Sequence, residues 1–96
     1  YDYGQGVKPD YNEAFRWYKL AAEQGNADAQ FDLGYRYYDG HRVTQDYVQA
    51  HMFFNLAAAN GHADARGNRD IIAKNMTPNQ IEEAQKLARE WMEKHR

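Results

Sequence analysis

Residues 37–66, YYDGHRVTQDYVQAHMFFNLAAANGHADAR, restate residues 1–30, YDYGQGVKPDYNEAFRWYKLAAEQGNADAQ, at an offset of 36, with 13 of 30 positions identical. Chance on ordinary composition gives roughly two. The shared residues are Tyr1/Tyr37, Gly4/Gly40, Val7/Val43, Asp10/Asp46, Tyr11/Tyr47, Ala14/Ala50, the Leu-Ala-Ala triplets at 20–22 and 56–58, Gly25/Gly61, and the Ala-Asp-Ala triplets at 27–29 and 63–65. A period of this length predicts stacked supersecondary units rather than one closed globule. Such arrays present an extended surface, and the reading of function starts there.

Each unit reads as two helices joined by a glycine-bearing loop. Asn26 caps a helix over about 27–38, with Asp28 placed against the positive end of its dipole. Gly40, at ease with positive φ, ends it. Asp46, with Gln49 three residues on, starts the next helix, and Asp10 with Glu13 repeats the device in the first unit. These second helices carry Tyr11, Ala14, Trp17, Tyr18, Ala21 and Ala22, and again Tyr47, Ala50, Phe53, Phe54, Ala57 and Ala58, at helical spacing. The pattern predicts one broad apolar face that touches two neighbours. Gly25 and Gly61 stop these helices and turn the chain into the next unit.

After Ala65 the repeat lapses: Arg69 and Asp70 stand where the preceding unit has Leu33 and Gly34. Thr77, Pro78 and Gln80 spell a capping box with proline at the first helical position, and Met76 is placed to staple against Ile81. A last helix to about residue 94 puts Ile81, Ala84, Leu87, Ala88, Trp91 and Met92 on its apolar side. An array ends on a unit that closes the core and faces water. The expectation is a single domain, 1–96, of about five helices: a partial repeat at 1–25, a complete one at 26–61 and a terminating one at 62–96. Because Tyr1 is the counterpart of Tyr37, the chain opens inside a repeat, which predicts more of the array upstream.

The string Leu33-Gly34-x-x-Tyr37-x-x-Gly40, then Val43, Asp46, Ala50, an aromatic at 53 and Ala57-Ala58-x-x-Gly61, resembles the Sel1-like repeat, a relative of the tetratricopeptide repeat with a slightly longer unit. Gly4-x-Gly6-Val7, Asp10, Ala14, Trp17, Ala21-Ala22 and Gly25 repeat the match. The closing segment, with Arg69-Asp70, Met76-Thr77-Pro78 and Trp91, is similar to the way many bacterial members end. Arg42 stands in place of a loop glycine and Phe53 in place of a tryptophan. The resemblance implies an all-α solenoid of antiparallel helix pairs, used as an adaptor or scaffold for other proteins. It names no partner and no compartment.

Composition narrows the alternatives. A net charge of −2, with basic residues scattered among acidic ones, leaves no electrostatic footprint for nucleic acid. The longest apolar run, 56–59, falls far short of the ~20 residues that span a bilayer. The chain has neither cysteine nor serine, so the commonest covalent nucleophiles are missing and only Thr44 and Thr77 remain beside the tyrosines. His41, His51, His62 and His95 include no pair at i, i+4, and no metal or cofactor is predicted. Some cysteine-rich relatives of the family have been linked to penicillin binding or β-lactam hydrolysis. This chain lacks the S-x-x-K motif and the cysteine framework, so a non-catalytic module is expected. Glu82 with Lys86 and Glu90 with Lys94 have the favourable i, i+4 order of a solvated helix face.

The helix over 27–38 has two stripes. Ala29, Leu33 and Tyr37 lie within about 80 degrees of one another, flanked by Gln30 and Gly34, and form the core stripe. Phe31, Tyr35 and Tyr38 cluster on the other side, with Asp28 next to Tyr35. In arrays of the tetratricopeptide kind the corresponding positions line the concave groove. The resemblance therefore makes Asp28, Phe31, Asp32, Tyr35, Arg36 and Tyr38 candidates for contact with a peptide or a partner's helix. Two other readings stand beside it. The aromatics pack against first helices of adjacent units, or the chain pairs with a second copy through the edge left by its incomplete first unit.

Overall fold

The computed structural model describes residues 11–40 and 43–95, with the side chains of Tyr11 and Asn12 outside the description. They form five helices: α1 (Tyr11–Glu23), α2 (Ala27–Asp39), α3 (Tyr47–Ala59), α4 (Ala65–Ala73) and α5 (Pro78–Lys94). No strand occurs among the described residues. The sequence expectations at residues 1–10 and at His41 and Arg42 lie outside them.

The starts of α2, α3 and α5 fall where a side-chain oxygen satisfies an otherwise orphaned backbone N–H. Asn26 Oδ1 accepts from the Ala29 amide at 2.9 Å, and Asp46 Oδ1 accepts from that of Gln49 at 3.1 Å. At α5 the capping box is complete: the Gln80 amide donates to Thr77 Oγ1 at 3.1 Å, and the Thr77 amide donates to Gln80 Oε1 at 2.9 Å. Gly40, at φ +72°, closes α2 by donating its N–H to the Arg36 carbonyl. A residue with a Cβ is strained in that conformation.

Two hydrogen bonds fix α2 and α3 as an antiparallel pair. The Asp46 amide donates to the Tyr37 carbonyl at 2.9 Å near one end, and Asn60 Nδ2 donates to Gln30 Oε1 at 3.0 Å near the other. Gln30 is buried, and its Nε2 also donates to the Ala22 carbonyl at 2.9 Å. One amide thus ties the ends of α1 and α3 to α2, with both of its polar atoms satisfied in a buried place.

Packing departs from the simple picture of one broad face per second helix. In α3, Ala50, Phe53, Phe54 and Ala57 are buried as the spacing predicts, but so are His51, Met52 and Leu56. The helix is apolar nearly all round because α2, α4 and α5 pack on it from different sides. In α1, by contrast, Ala22 is buried while Trp17 is 64% exposed and Leu20 50% exposed. No described helix covers that side. Met92 of α5, placed on the apolar side by spacing, is also exposed.

The core divides in two. Ala22, Ala29, Leu33, Met52, Phe53, Leu56 and Ala88 form one cluster, closed by Tyr37 stacked on Phe53 and by Trp91 set edge-on to it at 5.3 Å. Ala50, Phe54, Ile72, Met76 and Ala84 form the other, and Ile81 packs against this cluster. At its far end α5 reaches α1, where His95 Nε2 lies 3.9 Å from Glu23 Oε2. The molecule is elongated, 48 × 29 × 22 Å.

Candidate interaction groove

The outer stripe of α2 faces α4. Phe31, Tyr35, Asn68 and Ile71, with Ala63, Asp64 and Gly67, line an open hollow, and Tyr35, Tyr38, Asn68, Ile71 and Ile72 continue it over a floor made by Phe54. On α4 the lining positions 64, 67, 68 and 71 follow helical spacing, so one face of that helix forms one wall. Tyr35, 43% exposed, and Ile71, 54% exposed, offer the apolar surface.

The aromatic wall is fixed by ring contacts. Phe31 is edge-on to Tyr35 at 5.2 Å and tilted on Phe54 at 5.4 Å, while Tyr35 is edge-on to Phe54 at 5.8 Å. Tyr38 stacks on Tyr47 of α3 at 5.7 Å. Geometries of this kind contribute about 0.5–1.5 kcal/mol per pair beyond area burial. Phe31 and Tyr38 are half-buried against the Phe54 cluster, which leaves Tyr35 as the most accessible ring of the three.

Asp28 stands at the N-terminal end of the groove. Its Oδ1 lies 3.6 Å from His62 Nε2, and the His62 ring lies flat on Phe31, with centroids 4.0 Å apart and planes within 9°. His62 Nδ1 accepts from the Asp64 amide at 3.2 Å. That bond leaves the neutral ring's proton on Nε2, toward Asp28. From its place at a helix end His62 reads as an ordinary solvated imidazole, yet its side chain is only 15% exposed. Phe31, 31 residues away in sequence, covers it.

Asp32 and Arg36 are carried elsewhere. Arg36 Nε donates to Asp32 Oδ2 at 2.7 Å, and the guanidinium sits 4.9 Å from the ring centre of Tyr18 on α1. Part of its hydrogen-bonding capacity, at Nη1, is buried without a partner, and the aromatic face stands in for it. This pair links α2 to α1 and does not line the groove. Of the six candidates, the fold gathers Phe31, Tyr35 and Tyr38 on one wall with Asp28 at its end, and separates Asp32 and Arg36 from them.

Sequence reasoning missed the opposite wall. Asp64, Gly67, Asn68 and Ile71 recur at i, i+3, i+4 and i+7, a signal that is readable once α4 is accepted as a helix. It also missed Phe54 as a floor. No group of three or more His, Cys, Asp or Glu residues among those described is placed to hold a metal, and no described helix is long and apolar enough to cross a membrane.

Helix pairs stacked about a shared core, with first helices side by side along a groove, define an α-solenoid of the kind that generally serves protein interaction. The Sel1 repeat matches residues 1–26, 27–62 and 79–94, and the chain belongs to the Sel1 repeat family. It is 46% identical over 39 residues to a mimivirus protein described as sel1-like repeat-containing, from Acanthamoeba polyphaga mimivirus, a stretch that is 41% of this chain and 7% of that protein. The structure is similar to the crystal structure of c5321, a protective antigen present in uropathogenic Escherichia coli strains and displaying an SLR fold. The TM-score is 0.85 at 41% identity, covering 96% of this chain and 20% of that one. The chain thus spans a small part of the length of both relatives.

Proposed function

We propose that the chain is a non-catalytic docking module that seats a peptide or a partner's helix in the groove between α2 and α4. The observation that carries this reading is the exposed pair Tyr35 and Ile71, facing one hollow over a buried Phe54 floor. Tyrosine suits the role because it presents a large, stiff, amphipathic surface at low entropic cost. The aromatics on either side of Tyr35 are themselves held, Phe31 by Phe54 and His62 and Tyr38 by Tyr47, so the wall is preorganised.

A photo-reactive amino acid at position 35 tests it in the full-length protein, with the same group at the exposed Glu83 of α5 as control. The reading predicts a discrete cross-linked species at position 35 that position 83 does not give. Equal patterns at both positions would remove the groove as the docking surface.

A second contact region rests on Trp17 and Leu20, whose exposure on α1 favours pairing of that edge with a further apolar surface, such as a second copy. Light scattering at two concentrations separates this from the groove reading. A monomer at both removes self-association and leaves the groove untouched.

A further inference from the structure

The groove is aromatic and aliphatic on its walls, and its charges are of one sign. Among the residues lining the two hollows, Asp64 alone is charged, and Asp28 stands beside it across the His62 ring. Asp64 makes no side-chain capping bond to α4, so its carboxylate is uncommitted to the helix it precedes. The Asp28 side chain is 94% exposed.

No Lys or Arg lines the two hollows themselves. Arg36 is paired with Asp32 on the α1 side. Arg66 and Arg69 of α4 line an adjoining hollow, which shares Ala63 with the groove and includes His62, and Arg69 Nη1 is held by Asn55 Oδ1 at 2.8 Å. The chain as a whole carries only a small negative charge, so this separation of signs belongs to the groove and not to the composition. π-faces beside exposed carboxylates favour a cation, through ring quadrupole and Coulomb attraction together.

We propose that the groove selects a partner segment carrying a lysine or arginine next to an apolar anchor. The cation sits at the Asp28–Asp64 end and the anchor lies between Tyr35 and Ile71. Asp64 and Ile71 are seven residues apart on α4, two helical turns, so the two subsites are about 10 Å apart. A helical partner spans that distance with positions i and i+7, and an extended one with about three residues. This inference rests on the groove being the docking surface.

The test keeps the two claims apart. A random dodecapeptide library displayed on phage is panned on the whole chain and counter-panned on Tyr35→Ala, a charge-neutral substitution at an exposed position. Tyr35-dependent binders enriched in Lys or Arg over Asp and Glu, beside a Leu, Ile, Phe or Trp, are the expected result. Their affinity for an Asp28→Asn/Asp64→Asn variant, whose helicity is checked by circular dichroism, is expected to drop about three- to tenfold at low salt. Tyr35-dependent binders without basic enrichment, or with affinity unchanged in the Asn variant, overturn the charge selectivity and leave the docking surface standing. If no recovered binder depends on Tyr35, both claims fall.

Discussion

Gly34 shows how tightly a single position is set. A Cβ added there would lie 2.7 Å from the Phe54 ring, which is 1% exposed and held between the two helices. Gly34→Ala gains about 1 kcal/mol of helix propensity but overpacks the core at a typical cost of 1–3 kcal/mol, and a ring with no room to move favours the cost. The expected outcome is a net loss of up to about 2 kcal/mol in denaturant unfolding, partly recovered when Phe54→Leu is added. His51 sets a pH dependence. Burial, helped by nearby Arg69 and opposed by Asp70, lowers its pKa below the ordinary histidine value. The folded state therefore binds its proton less readily than the unfolded chain, whose pKa is about 6.5. Stability from this group is complete above that value and declines as pH falls through it toward the lower folded pKa. Unfolding curves at pH 7.5 and 5.5 should show the decline, and His51→Leu should show a smaller one.

Helix by helix, the parts most legible in the sequence were those governed by local chemistry. Asn26, Asp46 and Thr77 announce helix starts because a short polar side chain beside an orphaned N–H has few other uses, and all three make the bond. Thr77→Ala breaks the capping box at α5. It should cost about 1 kcal/mol and speed amide exchange in the first turn of that helix more than elsewhere. Burial was less legible, since a helical wheel reports which residues share a face and not what covers it. Trp17 and Phe53 are repeat counterparts with the same local pattern, yet one is 64% exposed and the other 3%. Among the described residues, Tyr37 and Trp91 flank Phe53 and not Trp17. The groove was half legible for the same reason. One wall lay on the aromatic stripe of α2, whereas the α4 wall and the removal of Asp32 and Arg36 toward Tyr18 depend on contacts between distant segments.

As an array, the protein distributes stability unevenly, because each helix draws its support from immediate neighbours. Among the described helices, α3 packs extensively against α2, α4 and α5, and α1 extensively against α2 alone. Phe53→Ala should therefore cost about 3–5 kcal/mol, while Trp17→Ala, on the side of α1 that no described helix covers, should change stability by less than about 0.5 kcal/mol. The same architecture makes the α2–α4 groove a surface that can be altered without unfolding what lies behind it. The most direct measurement is the affinity of the partner cross-linked at position 35 for Tyr35→Ala, compared with Trp17→Ala, at matched thermal stability. Docking in the groove predicts a loss of about tenfold or more for Tyr35→Ala and none for Trp17→Ala. An unchanged affinity for Tyr35→Ala with the fold intact would contradict it.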